Sequence, residues 1–230
     1  FQAALAVSSS FASASTTAWT ADMVSAVFPG LTAGSTYFAR VRARNAVGVP
    51  TDYAAALSTR TGFAAVPGCG VTRDVGKAGA PYLTITAALA AVPASLSAET
   101  CVVVRDTGTY AEQATVSGFT SNGFRLRIMR DPALTTHPTV APPAGSPAAF
   151  RIQSASVSLE GLRIAPPFPI TYGIEISTLY ARLSDVLVQS TAAFGFAGVY
   201  LNAFGTVEDS TVSVSASRGI WSSGVSAGGA

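Results

Sequence analysis

Apolar and polar positions along the second half of the chain fall into short columns that return at a fixed interval. Leu159-Glu160-Gly161-Leu162-Arg163-Ile164 recurs as Leu183-Ser184-Asp185-Val186-Leu187-Val188 and again as Val207-Glu208-Asp209-Ser210-Thr211-Val212, each 24 residues after the last. A repeat of this length, built from short strands with no helical segment inside it, predicts a β-solenoid in which each repeat is one coil stacked on its neighbour. One coil cannot bury its own apolar face, so the core comes from stacking.

A second column has the same register. Phe150-Arg151-Ile152, Ile174-Glu175-Ile176, Val199-Tyr200-Leu201 and Ile220-Trp221-Ser222 alternate at period 2, at offsets of 24, 25 and 21 residues. Alternation places Phe150, Ile174, Val199 and Ile220 inside and Arg151, Glu175, Tyr200 and Trp221 outside one continuous parallel sheet, with coils about 4.8 Å apart. The shared register of Gly161, Asp185 and Asp209 predicts a turn with left-handed or otherwise unusual backbone. The segment running to Gly228-Gly229-Ala230 is expected to follow the fourth strand of this column without a cap.

Upstream the period changes. In Tyr82–Pro93, Ile85, Ala88, Leu89 and Val92 stand at i, i+3, i+4 and i+7, with Thr84 as N-cap and Pro93 as stop, which predicts a short amphipathic helix. Gly62–Gly68 carries breakers at both ends and reads as a linker.

Composition narrows the class. The chain is 49% hydrophobic and 11% charged, with mean hydropathy +0.41, and the small residues behind these values suit tightly stacked strands. Its longest apolar stretch, near Ala87–Ala94, is interrupted by Pro93 and is far short of the roughly 18–20 residues of a membrane span. The net charge of +2 is spread along the chain, without the clustered basic patch that phosphate neutralisation requires, which argues against nucleic acid. Gly68-x-Gly70 lacks the third glycine of a dinucleotide loop.

The two cysteines, Cys69 and Cys101, are compatible with one disulfide or with two buried thiols, and their spacing leaves both open. The extracellular character of the rest of the chain tips the expectation toward the bond. Such a bond would tie the start of the second domain to its first solenoid strand. The single histidine, His137, lies in a Pro-rich insertion read as a surface excursion, and no metal site or cofactor is expected.

Residues 31–62 carry Leu31, Gly34 and Tyr37, then the alternating Phe38-Ala39-Arg40-Val41-Arg42-Ala43-Arg44-Asn45, Gly48, and Ser58-Thr59-Arg60-Thr61. Over 20–61 this resembles the latter half of a fibronectin type III domain, with Tyr37 as its corner tyrosine. Tyr37, Ala39, Val41 and Ala43 share one face; Phe38, Arg40, Arg42 and Arg44 share the other, read as a solvated strand face rather than an anion-binding patch. Phe1–Val7 and the two apolar runs in Trp19–Phe28 are expected to supply middle strands. The family's first hairpin and its core Trp have no counterpart, since Trp19 comes too late. A half sandwich exposes edges and apolar area, so residues upstream in the same polypeptide are expected to complete it; strands donated by another subunit are the alternative.

The predicted helix, followed by Thr100-Cys101-Val102-Val103-Val104-Arg105-Asp106 and Gly108-Thr109-Tyr110-Ala111-Glu112, resembles the N-terminal cap of right-handed parallel β-helices of the pectate lyase-like group. The expected fold is all-β: a partial fibronectin type III sandwich (1–61), a linker (62–69), and a right-handed parallel β-helix with a short capping helix (70–230).

Lyases of that group gather carboxylates around calcium with an Arg or Lys base, and the related hydrolases cluster aspartates with a histidine. Here Asp185 and Asp209 stand one coil apart, but Gly161 at the same register favours a backbone explanation. Glu175 is expected to pair with Arg151 at the surface. The most site-like surface is the outer column Arg151, Glu175, Tyr200 and Trp221, flanked by Gln153 and Asn202, as a glycan or partner surface. The bland reading, in which the aromatics pack on neighbours, ranks ahead of it.

No catalytic residue is assigned, and the chain is not expected to be an enzyme. It is expected to be a structural or adhesive module of a secreted or cell-surface protein, with filament assembly by self-association, or contact with neighbouring domains, as its mode of action. The alternatives are a carbohydrate-binding β-helix with polysaccharide as partner, and a polysaccharide lyase or hydrolase.

Overall fold

The computed structural model describes residues 1–190, 192–214 and 218–223; the expectation for Gly228-Gly229-Ala230 lies outside them. The chain divides into two compact units, Phe1–Ala64 and Ala65–Ala230.

In the first unit, β1 (Gln2–Ala6), β2 (Ser15–Thr16), β3 (Thr36–Arg42) and β4 (Leu57–Arg60) form one antiparallel sheet in the order β2-β1-β3-β4. The Trp19–Phe28 runs form no strand, and Val24 and Val27 are exposed. The free edge of β1 is taken instead by β2, where Thr17 N–H donates to Ala3 O. Tyr37 is buried and its hydroxyl accepts from Thr32 N–H at 2.9 Å, which fixes the chain's entry into β3.

The two faces of β3 differ from the expectation. The Phe38 and Arg40 side, expected to be solvated, is partly covered by Phe11, Ala14 and Tyr53, while the opposite side is mixed, with Tyr37, Ala3 and Leu5 buried and Val41 46% exposed. Period-2 alternation sorts residues into faces but does not say which face the loops will cover. Here the loops carrying Phe11, Trp19 and Tyr53 bring aromatic rings to the arginines, and planar guanidiniums tolerate burial against rings.

Among the described residues the second unit is all-β apart from one helical segment, α1 (Ile85–Ala90), and its three sheets are parallel throughout. The first sheet stacks β5 (Val71–Val75), β6 (Thr100–Val104), β9 (Leu126–Arg130), β12 (Val157–Glu160), β15 (Ala181–Ser184) and β18 (Gly205–Glu208). The second stacks β7 (Thr109–Tyr110), β10 (Thr139–Val140), β13 (Arg163–Ile164), β16 (Leu187–Gln189) and β19 (Thr211–Ser213). The third stacks β8 (Ala114–Val116), β11 (Ala148–Ile152), β14 (Ile170–Ile176), β17 (Phe194–Leu201) and β20 (Arg218–Ser222). Each coil thus gives one strand to each sheet in turn, an arrangement compatible with a parallel β-helix. First-sheet strands begin at 100, 126, 157, 181 and 205, so the 24-residue period belongs to the later coils and the Pro142-Pro143 insertion lengthens an earlier one.

Register follows both sequence columns. Leu159 pairs with Leu183 and Leu183 with Val207; Phe150 pairs with Ile174, Ile174 with Val199, and Val199 with Ile220. One core runs through the stack, with Val102, Ile128, Leu159 and Leu183 from the first sheet, Tyr110, Val140, Ile164 and Val188 from the second, and Phe150, Ile174 and Val199 from the third. Ile220 departs from the expectation at 50% exposure, because β20 is paired on one side only among the described residues.

Gly161, Asp185 and Asp209 adopt left-handed backbone, φ +67°, +52° and +48°, where the chain turns from the first sheet to the second. Glycine enters this region at no steric cost and aspartate at little. A second left-handed corner, at Ser156 and Tyr180, leads back to the first sheet.

The helix begins where expected but ends at Ala90, two residues short of Val92. The Thr84 side chain accepts from Ala87 N–H, and Ile85 and Ala88 are buried against the first coil. Ile85 and Thr86 N–H both donate to the Glu112 carboxylate, at 2.8 Å each. Cys69 and Cys101 are bonded, and with Val66, Val103 and Met129 they form a small cluster apart from the main core.

Candidate functional site

On the third sheet the strands bend. A Cβ built on Gly173 would lie 2.9 Å from Val188 Cγ1 and 2.4 Å from Gly198 O, and one on Gly198 would lie 2.6 Å from Val212 Cγ1. These glycines therefore face the core, and the residues that follow them, Ile174 and Val199, do too. Two inward residues in succession break the alternation and turn Tyr172 outward, although strict period 2 from Ile174 puts it inside.

A register shift between Ile170 and Tyr172, opposite Phe194–Ala197, is a bulge that re-aims Phe196 to the same side. Tyr172 and Tyr200 stack at 4.9 Å with planes 17° apart, and Tyr200 and Trp221 at 5.3 Å and 15°. Phe196 meets Tyr172, Tyr200 and Trp221 edge-on at 5.7, 5.8 and 4.9 Å. The Arg218 guanidinium lies 4.9 Å from the centre of the Phe196 ring.

Of the expected surface residues, Tyr200 and Trp221 are thus brought together, joined by Tyr172, Phe196 and Arg218, which sequence reasoning missed. Arg151 and Glu175 form an ion pair, Nε to Oε2 2.6 Å. Asn202 Oδ1 accepts from Ser223 Oγ at 2.6 Å, beside Tyr200. Gln153 is exposed, and its backbone N–H donates to Val116 O. Both faces of Tyr200 are covered by rings, which leaves only its edge and hydroxyl open.

The outer face of the first sheet holds a charged cleft of about 360 Å³ lined by Glu99, Arg125, Arg127, Glu160, Arg182 and Ser184. Arg127 grips Glu160 through two bonds of 3.0 and 2.7 Å, and Ser158 donates to Glu160 at 2.7 Å. Desolvation pushes the Glu160 carboxyl up, but the bonds from Arg127 and Ser158, with the Arg127 and Arg182 charges, outweigh it and hold the group below the ordinary glutamate range. Arg182 pairs with Glu208 one coil on. Nearer the start of the stack Arg105, its side chain 3% exposed, bridges Asp74 and Asp131.

At the first left-handed corner, Asp185 accepts from Arg130 at 3.0 Å and lies 2.9 Å from His137 Nε2. His137 is therefore an anchor for the insertion rather than the tip of a free excursion. Burial raises the Tyr110 phenol far above its usual range, and the hydrogen bond to Asp106 and the charges of Asp106 and Glu112 add to this.

Among the described residues no three His, Cys, Asp or Glu side chains gather as metal ligands, and no helix is long and apolar enough to cross a membrane. Compared with known protein families, with curated proteins and with solved structures, the chain shows no match.

Proposed function

We propose that this chain is a structural or adhesive module of a secreted or cell-surface protein. Its residues 70–230 are read as a right-handed parallel β-helix of the pectate lyase-like kind with α1 as its N-terminal cap, and residues 1–61 as the latter part of a fibronectin type III-like sandwich. Right-handed crossovers are the rule for parallel strands, and the Tyr37–Thr32 bond is of the corner-tyrosine type.

One observation carries the functional reading: outward side chains are matched to partners in neighbouring coils. Arg151 meets Glu175, Arg127 meets Glu160, Arg182 meets Glu208, and Tyr172, Tyr200 and Trp221 stack in series. Side chains committed to coil-to-coil contacts build a rod; a catalytic or sugar-stacking surface needs groups held ready for a ligand. The Cys69–Cys101 bond supports an oxidising, extracellular setting.

Electron microscopy and sedimentation of the intact native protein test this. Regular filaments or concentration-dependent assemblies are expected. Isolated particles that depolymerise an acidic polysaccharide, releasing calcium-dependent unsaturated sugars, would replace this reading with the lyase.

A further inference from the structure

Three arginines of the first unit are interleaved with three aromatic rings. Arg40 Cζ lies 3.8 Å from the Phe11 ring centre and 4.0 Å from that of Tyr53; Arg42 lies 4.5 Å from Tyr53 and 5.3 Å from Trp19; Arg44 lies 4.8 Å from Trp19. Arg42 also donates twice to Gln2 Oε1, and Arg40 Nε is buried with no hydrogen-bond partner. Among the described residues no carboxylate pairs with any of the three, in contrast to Arg105, Arg127, Arg130, Arg151 and Arg182 of the second unit.

Residues 1–64 hold four arginines, Arg40, Arg42, Arg44 and Arg60, against two acids, Asp22 and Asp52, so the chain's formal charge of +2 resides wholly in this unit. Like charges two residues apart on a strand stand roughly 7 Å apart and repel. Stacking on rings orients them but leaves that repulsion without a counter-charge.

We propose that the Arg40, Arg42 and Arg44 ladder is a docking strip for a linear acidic polysaccharide. The guanidiniums are pre-ordered by the rings, so little side-chain freedom remains to be lost on binding. The Nε–Nη2 edge of Arg42 is on Gln2 and Arg40 Nε is buried, so the exposed Arg44 offers the paired N–H edge to a carboxylate or sulfate, while Arg40 and Arg42 add charge and their remaining Nη groups. The faces of Phe11, Tyr53 and Trp19 are occupied by guanidiniums, which leaves no free ring for stacking nucleic-acid bases. The strip therefore reads regularly spaced charge, and it adds a ligand to this unit independently of the solenoid's structural role.

The full chain is passed over immobilised polygalacturonate, dextran sulfate and neutral dextran at rising NaCl. Retention on the two acidic polymers but not on neutral dextran is expected, weakening with salt. Arg44→Gln, at the exposed end of the ladder, is expected to weaken retention several-fold and to reduce the salt slope by about one. Its circular dichroism and Tm should match the parent chain. Arg44→Lys, which keeps the charge, should keep most of the slope, and Arg163→Gln, an equal charge loss at an exposed site of the second unit, should leave retention unchanged. No retention at low salt, no effect of Arg44→Gln, or an equal loss in Arg163→Gln overturns the proposal. So does a single-stranded oligonucleotide that binds as tightly with the same dependence on Arg44.

Discussion

Arg130 reaches Asp185 across Gly161: the guanidinium lies 3.0 Å from the carboxylate although a whole coil separates them. The intervening corner position has no side chain. A Cβ there would lie 3.0 Å from both Cβ and Nε of Arg130 and 3.5 Å from Asp185 Oδ2, on a backbone at φ +67°. Gly161→Ala is therefore expected to lower stability by about 1–3 kcal/mol. Urea denaturation measures it, and an unchanged midpoint would show that the corner relaxes freely.

The start of α1 depends on Glu112, whose carboxylate takes the Ile85 and Thr86 N–H groups. Glu112→Ala leaves two helix N–H groups without that partner and is expected to cost about 1–2 kcal/mol. Hydrogen exchange of the Ile85 and Thr86 amides should rise sharply while that of Leu159 and Ile174 stays near the parent value.

Acid should loosen the first sheet. Glu160 titrates lower folded than unfolded, so its contribution is fully present above the ordinary glutamate value of about 4.3 and is lost as pH falls through the depressed folded value. In Glu160→Gln this part of the acid dependence should vanish, giving a shallower loss of Tm below about pH 4.5 than the parent chain shows. Identical profiles would contradict the assignment.

Reducing the Cys69–Cys101 bond opens a loop spanning 32 residues. Chain-entropy arguments put its contribution at about 2–4 kcal/mol. Thermal unfolding with and without reductant should show the difference, and Cys69→Ser should reproduce it without reductant.

Tyr200 lies between Tyr172 and Trp221 in the ring stack. Tyr200→Ala is expected to destabilise the solenoid by about 1–3 kcal/mol and to leave retention on acidic polysaccharide unchanged. A loss of retention at full stability would move the ligand surface to the third sheet.

Much of the fold was legible along the chain because it is written in periods that recur. The residue-by-residue register of Leu159, Leu183 and Val207, and of Phe150, Ile174 and Val199, needs only alternation and a constant coil length, and the Gly161, Asp185 and Asp209 corner needs only the local cost of left-handed backbone. The Arg151–Glu175 pair follows from that register. Other features depend on what covers each position, which no local pattern contains. Tyr172 points outward because glycines let the sheets approach and force two inward residues in a row. The arginine face of β3 is partly covered because three distant rings fold over it. Glu112 caps a helix 27 residues away, and His137 meets Asp185 after 48. Alternation and turn chemistry act between chain neighbours and are carried by the sequence; partners drawn from distant segments exist only once the coils have stacked.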